Sequence, residues 1–233
     1  MPYKAIIFDV DGTLLDNEDL HREAFNRAFK EFGLDWVWSK EIYRDLLLIG
    51  GGKERIHYFQ QRKGKSSFDL SKAQVFKLHA IKKKFYENSL KSNTITLRDG
   101  VEQLICQARI KGINLAIATA SSLSSVKCLC NSIWALPVEK IFDQITSGDG
   151  LVNNKPSPEV YQSTLKKLGL GASECLAIED SRTGMLAARA AGITTIVTPS
   201  SYTLDDDFSE ANFICKSVEK KYLPKKLQIQ IFG

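Results

Sequence analysis

Several features that define other protein classes are absent or scarce in this sequence of 233 residues. No apolar run approaches the ~18 residues of a membrane span, and the N-terminal apolar stretch is shorter than a signal-peptide core. The five cysteines form no C-x-x-C pair, which favours free thiols. We therefore expect a cytoplasmic protein without a membrane partner, or a protein of an organelle stroma if a transit peptide is missing from this chain.

A large excess of either sign of charge is also absent. Lysine and arginine number 32 against 27 aspartates and glutamates, a net charge of only +5. So small a surplus does not favour a nucleic-acid partner, but it suits an anionic metabolite such as a sugar phosphate. The hydrophobic share of 43% is that of an ordinary globular chain.

Four short apolar segments have the character of buried parallel strands. They are residues 5–8, 115–118, 175–178 and 195–197. Helical patterns that end at glycine separate the later ones, namely residues 101–111, 158–168 and 184–191. This alternation predicts an α/β fold with an open parallel, Rossmann-like sheet and helices on both faces. Ligands of such sheets bind beyond the carboxyl ends of the strands.

A stretch with helical patterns only interrupts this alternation after the first strand. The patterns cover about residues 19–32, 39–48, 53–61 and 70–90. We therefore predict a core domain of residues 1–15 and 93–233 and a small helical domain of residues 16–92. Trp36, Trp38 and Tyr43 are expected in the core of this helical domain rather than at a substrate platform.

The segment after Pro224 is Lys-rich and then alternates apolar residues with polar ones. This alternation fits either an edge strand or a loosely docked terminus. The pattern leaves both open.

Two carboxylates separated by one residue follow the first strand. Asp9 and Asp11, in the segment Asp9-Val10-Asp11-Gly12-Thr13, can turn toward one point and repel each other unless a cation or proton lies between them. A hard divalent cation, most simply Mg²⁺, prefers such oxygen ligands. Taken alone, the segment is equally consistent with an ordinary Asx turn.

Other polar groups follow the later strands. Glu179 and Asp180 would complete an oxygen-rich metal site or cap the next helix. Thr119, with Ser121 after it, would bind a phosphate oxygen or cap a helix. Lys155 precedes a proline, which favours an extended conformation, and is either an active-site cation or a surface lysine.

In this order, the segments together resemble the four motifs of the haloacid dehalogenase superfamily. The matching residues are Asp9-Val10-Asp11-Gly12-Thr13, Thr119, Lys155 and Glu179-Asp180. The helical domain is similar to the cap that this superfamily inserts after its first motif. The resemblance covers essentially the whole chain.

Within the superfamily, the chain resembles the beta-phosphoglucomutase-like branch, because Glu18, His21 and residues 50–55 look like its cap. Residues 33–56 and 201–208 look closer to the CbbY group of xylulose-1,5-bisphosphate phosphatases. Two departures are Ser201, where we expect glycine, and the short spacing from Glu18 to His21, which is similar to that of the mutases.

The resemblance implies that Asp9 is a nucleophile that forms an aspartyl-phosphate. Asp11 is then the group that protonates the leaving sugar oxygen and later deprotonates water. Mg²⁺ is expected to bind Asp9, the backbone carbonyl of Asp11 and Asp180. Glu179 is expected to orient a metal-bound water or Lys155.

The resemblance also implies the substrate-binding residues of the core. Lys155 and Thr119 are expected to hold phosphate oxygens, and Ser121 is a candidate contact to substrate.

In the cap, Lys53 and Arg55 are expected to bind a second phosphate, and Gly52 would let the backbone approach it. Glu18 and His21 would bind sugar hydroxyls or relay a proton. A packed histidine remains the alternative for His21.

The predicted function is thus a monomeric, Mg²⁺-dependent sugar-phosphate phosphatase, with xylulose-1,5-bisphosphate as the expected substrate. A beta-phosphoglucomutase-type mutase, which passes the phosphoryl group to a second sugar oxygen, is the alternative. A sensor without chemistry is disfavoured because all four motifs are intact.

Overall fold

The chain divides into two compact units. A computed structural model describes residues 2–62, 69–92 and 95–233. Met1–Asp16 and Ile95–Gly233 form one unit, called the core unit below, and Asn17–Thr94 form the other, called the cap unit. None of the described helices combines the length and apolarity needed to cross a membrane.

A six-stranded parallel sheet forms the centre of the core unit. Its strands are β1 (Ala5–Phe8), β2 (Asn114–Ala118), β3 (Gln144–Thr146), β4 (Cys175–Glu179), β5 (Thr194–Val197) and β6 (Phe213–Ile214). They lie in the order β3-β2-β1-β4-β5-β6, and each neighbouring pair is parallel. Strand order therefore reverses at β1, between β2 and β4. In such sheets the crevice at this point, beyond the carboxyl ends, is the usual ligand site.

Seven of the described helices follow the patterns predicted from the sequence, whereas Leu123–Trp134 and Lys225–Phe232 were not predicted as helices. The cap unit holds α1 (Glu18–Glu31), α2 (Lys40–Leu47), α3 (Gly52–Arg62) and α4 (Lys72–Ser92). The core unit holds α5 (Val101–Ile110), α6 (Leu123–Trp134), α7 (Glu159–Leu168), α8 (Arg182–Ala190) and α9 (Lys225–Phe232). All four residues of β1 have no exposed surface, as a strand covered on both faces requires. The predicted open parallel α/β fold is confirmed.

Two strands and the chain end differ from the sequence expectations. The sequence pattern missed β3 and β6, which have only three and two residues. The edge-strand alternative for the segment after Pro224 is wrong, because this segment forms α9. Leu227 and Ile231 lie one helical turn apart and are both buried, so a helix buries the apolar side chains on one face.

Aromatic side chains form the core of the cap unit. Trp38 and Tyr43 have no exposed surface, and Trp36 is 7% exposed. The Trp38 ring centroid lies 4.5 Å from that of Phe25 and 4.8 Å from that of Phe29, both on α1. The prediction that the three aromatic residues 36, 38 and 43 belong to the core is confirmed.

We expect Trp38→Ala to lower the free energy of unfolding of the cap unit by about 3–5 kcal/mol, because it leaves a cavity among four aromatic rings. Chemical denaturation followed by circular dichroism measures this. The matched control is Val37→Ala in the same segment, since Val37 is 68% exposed, and it should change stability by less than about 0.5 kcal/mol. Equal effects of the two substitutions would contradict the packing role of Trp38.

Candidate active site

A buried lysine lies between two carboxylates at the carboxyl ends of the central strands. Asp9 directly follows β1, Glu179 is the last residue of β4, and Lys155 precedes α7 across a cis Lys155–Pro156 bond. The Lys155 Nζ lies 2.7 Å from Asp9 Oδ1 and 2.6 Å from Glu179 Oε1. All three residues are buried, so Lys155 is not the surface lysine that its sequence context alone allowed.

Tyr161, a residue that the sequence analysis did not select, also binds Glu179. Its hydroxyl donates a hydrogen bond of 2.5 Å to Glu179 Oε1, and its ring centroid lies 5.3 Å from the Lys155 Nζ. Tyr161 has no exposed surface, and a buried tyrosine hydroxyl generally needs a hydrogen-bond partner. No sequence motif predicts this contact, because it depends on the tertiary structure that brings Tyr161, in the first turn of α7, to Glu179 at the end of β4.

Three carboxylates form a cluster that fits a divalent cation. Ligand oxygens of Asp9, Glu179 and Asp180 lie within 4.8 Å of one another. Glu179 Oε2 is buried and has no hydrogen-bond partner in the described part of the chain. An all-oxygen donor set with an unsatisfied buried carboxylate oxygen suits a hard ion such as Mg²⁺. Glu179 was predicted either to complete an oxygen-rich metal site or to orient a metal-bound water or Lys155, and the structure groups it with the candidate ligands.

Two glycines make room for these carboxylates. Gly12 has a φ of 84°, and a Cβ there would overlap the Asp180 carboxylate. A Cβ at Gly184, in α8, would overlap the carboxylate of Glu179. Because neither glycine tolerates a side chain without displacing a carboxylate, the carboxylate cluster depends on both.

Two threonines hold Asp180 in place. Thr13 donates to Asp180 Oδ1 at 3.3 Å. The Thr203 hydroxyl donates to the Asp180 backbone carbonyl at 2.7 Å. These contacts come from the turn after β1 and from the segment after β5.

Asp11, Ser121 and Thr119 form a second group of contacts. The Ser121 hydroxyl donates to Asp11 Oδ2, and the Ser121 amide donates to Thr119 Oγ1 at 3.1 Å. Thr119 follows β2 and is 1% exposed. Ser121, predicted from the sequence to contact substrate, is thus a hydrogen-bond partner of Asp11.

Burial and neighbouring charges shift the pKa values of this site. Burial raises the pKa of Asp9 well above its usual range. The Lys155 ammonium opposes that rise, and the Glu179 and Asp180 carboxylates add to it. Burial alone would lower the pKa of Lys155, but Asp9 and Glu179 outweigh it and raise that pKa. In the metal-free site, the ammonium thus stays charged while Asp9 resists ionisation.

The cap unit contains a polar cluster of its own. The Tyr43 hydroxyl donates to Glu18 Oε2 at 2.9 Å, and Arg55 Nη1 donates to the Tyr43 oxygen at 3.2 Å. The Lys53 Nζ lies 4.3 Å above the Phe76 ring. A Cβ at Gly52 would lie 2.5 Å from the His79 Nε2. Glu18, Gly52, Lys53 and Arg55, selected from the sequence, thus lie in or beside packed contacts of the cap.

His21 pairs with a buried lysine that the sequence analysis missed. The Lys82 Nζ lies 2.6 Å from His21 Nδ1, and the His21 ring stacks on Tyr86 with centroids 3.8 Å apart. Because an ammonium can only donate, His21 Nδ1 is the acceptor of this contact. Burial and nearby lysines lower the pKa of His79 to about 3, so the His79 ring is uncharged at neutral pH.

Comparisons with known proteins show the family to which the chain belongs. Residues 6–198 match the family model of haloacid dehalogenase-like hydrolases. The chain belongs to this family, and the family and the enzyme class predicted from the four motifs are confirmed.

The chain is also similar to particular members of the family. Protein CbbY from Rhodobacter capsulatus is 45% identical over 213 residues, which cover 91% of this chain and 92% of that protein. The crystal structure of CbbY from Rhodobacter sphaeroides in complex with phosphate has a TM-score of 0.88 at 39% identity, covering 93% of this chain and 95% of that chain. A crystal structure of a mutant of that protein in complex with xylulose-(1,5)bisphosphate matches with the same TM-score of 0.88, identity of 39% and coverage of 93% and 95%. The predicted similarity to the CbbY group is confirmed.

The raised pKa of Asp9 predicts a pH-dependent stability. The pKa of Asp9 in the folded protein lies above its unfolded-state value of about 4. The protonated Asp9 therefore contributes stability below about pH 4, and this contribution is lost as pH rises through the folded-state pKa. In a chelating buffer, we expect the melting temperature of the wild type to fall relative to that of Asp9→Asn as pH rises from about 4 to about 8.

Differential scanning calorimetry of both proteins measures this difference. Adding Mg²⁺ should stabilise the wild type more than Asp9→Asn, since a cation would offset the clustered carboxylates. A melting-temperature difference that is independent of pH would contradict the shifted pKa.

Proposed function

We propose that this protein is a Mg²⁺-dependent phosphatase that hydrolyses xylulose-1,5-bisphosphate to xylulose-5-phosphate and inorganic phosphate, acting as a cytoplasmic monomer. The observation that carries the proposal is the buried cluster of Asp9, Lys155, Glu179 and Asp180 at the carboxyl ends of β1 and β4. Proteins that are 39% identical to this chain were crystallised with phosphate and with xylulose-(1,5)bisphosphate, which supports the choice of substrate.

In the first step, a carboxylate oxygen of Asp9 attacks phosphorus and the bond from phosphorus to the sugar oxygen breaks. Lys155 holds Asp9 Oδ1 at 2.7 Å and thereby orients the attacking carboxylate. Asp11 gives its proton to the leaving sugar oxygen, which departs as an alcohol. The Ser121 hydroxyl donates to Asp11 Oδ2 and so orients the Asp11 carboxyl group.

In the second step, water attacks the phosphorus of the aspartyl-phosphate and the bond from phosphorus to Asp9 breaks. Asp11, now ionised, takes the proton of the water and is ready for another turnover. Thr119 accepts the Ser121 amide at 3.1 Å, so its own hydroxyl proton can be donated to a phosphate oxygen. Lys155 supplies positive charge against the phosphate oxygens.

The residues that would hold Mg²⁺ are Asp9, Asp180 and the backbone carbonyl of Asp11, with Glu179 Oε2 as a further oxygen donor. When bound, Mg²⁺ supplies positive charge that offsets the phosphate oxygens and the nucleophile. Tyr161 and Lys155 both donate to Glu179 Oε1. They therefore leave its Oε2 as the oxygen for the cation.

A bisphosphate requires a second anion site, and we assign it to Lys53 of the cap unit. Arg55 is already engaged by Tyr43 and by the carbonyl of Ile49, at 3.2 and 2.9 Å. It therefore gives positive charge and shape to the loop before α3, while Lys53 supplies the ammonium for the second phosphate. Glu18, which shares the Tyr43 hydroxyl with Arg55, would accept a sugar hydroxyl.

The test of this function is phosphate release from a panel of sugar phosphates with Mg²⁺. The panel contains xylulose-1,5-bisphosphate, ribulose-1,5-bisphosphate, fructose-1,6-bisphosphate and β-glucose-1-phosphate, with Asp9→Asn as the inactive control. We expect a strong preference for the first compound and no release by the control. Conversion of β-glucose-1-phosphate to the 6-phosphate without free phosphate would instead identify a mutase.

Lys53→Met should raise the KM for the bisphosphate about tenfold or more, since it removes one charge-assisted hydrogen bond. Hydrolysis of a substrate with one phosphate should change little. Steady-state kinetics with both substrates measures this difference. Lys72→Met is the matched control, because Lys72 is an exposed lysine of the same unit and should leave both KM values unchanged. Equal loss with both substrates would refute the second-phosphate role.

A further inference from the structure

Arg98 is an arginine of the core unit that belongs to none of the four motifs. It lies in the segment that precedes α5 and is only partly exposed. Its guanidinium donates to three backbone carbonyls: those of Gly12, of Thr198 at 2.7 Å and of Pro199 at 2.7 Å. Its backbone amide donates to the Leu14 carbonyl at 2.8 Å. A side chain that satisfies three carbonyls in this way fixes the segments that carry them.

Both segments held by Arg98 border the carboxylate cluster. Gly12 follows Asp11 and packs so tightly on Asp180 that a Cβ there would overlap its carboxylate. Thr198 is on the other segment, and its amide donates to the Glu179 carbonyl at 2.8 Å. Arg98 therefore joins the turn after β1 to the segment that binds the end of β4.

We propose that Arg98 is a positioning residue of the metal site, which holds the Gly12 turn and the Thr198–Pro199 segment at the separation that the carboxylates of Asp9 and Asp180 require. The inference rests on the Mg²⁺ dependence of the proposed function, but not on its sugar substrate. A lysine cannot replace the planar guanidinium of Arg98, because a single ammonium is a compact charge without parallel N–H donors.

The test measures Mg²⁺ binding to the full chain by isothermal titration calorimetry, together with thermal unfolding. Arg98→Met should weaken Mg²⁺ binding about ten- to hundredfold, and Arg98→Lys should recover only part of the loss. Gly12→Ala should weaken binding similarly, since it displaces Asp180. The Mg²⁺ concentration for half-maximal activity should rise in parallel, whereas kcat at saturating Mg²⁺ should fall less.

Arg109→Met is the matched control for a merely structural effect. Arg109 also donates to several acceptors: its Nη1 to the two carboxylate oxygens of Asp143 at 2.8 and 3.0 Å, and its Nη2 to the Ile141 carbonyl at 2.6 Å. Its loss should lower the melting temperature without changing Mg²⁺ binding.

Wild-type Mg²⁺ affinity in Arg98→Met would overturn the proposal, as would an equal loss of affinity in the Arg109 variant. If Arg98→Met does not fold, Arg98→Lys decides, and wild-type affinity in that variant overturns the proposal. A wild-type protein that binds Mg²⁺ but releases no phosphate refutes the proposed function alone. A wild-type protein that binds no Mg²⁺ refutes both.

Discussion

The ammonium of Lys155 lies between two buried carboxylates, and the arrangement of the site depends on this ion cluster. Asp9, Glu179 and Asp180 place three carboxylates in one enclosed space, where like charges repel strongly because little water screens them. One lysine offsets only part of that charge. The negative charge that remains is the physical reason why the site suits a divalent cation.

The carboxylates of this cluster lie close together because neighbouring strands and two glycines hold them there. Asp9 and Glu179 extend from β1 and β4, which are neighbours in register, with Phe8 beside Ile178. Gly12 and Gly184 leave the volume that the carboxylates of Asp180 and Glu179 fill. Charged groups held in this way need little reorganisation when charge develops beside them, which is the principle of electrostatic preorganisation.

The cap unit combines an aromatic core with polar groups that are fixed by packing. Glu18 and Arg55 both contact the hydroxyl of Tyr43, whose ring is fully buried. Lys82 contacts His21 and lies 4.7 Å above the Phe25 ring and 5.1 Å above the Tyr86 ring. Polar side chains whose rotamers are locked by neighbours recognise a ligand at lower entropic cost than mobile ones.

The parallel α/β fold could be predicted from the sequence, because apolar strands such as Ala5–Phe8 and the helical periods between them are local patterns. The motif residues could be predicted as well, since Asp9, Asp11, Lys155 and Asp180 follow strands or precede a helix at recognisable positions. Their partners could not: the contacts of Tyr161 with Glu179, of Lys82 with His21 and of Arg98 with Gly12 join residues 18, 61 and 86 positions apart. Tertiary packing also selects a helix rather than an edge strand for the segment after Pro224. These outcomes depend on packing between elements distant in sequence, which no local pattern encodes.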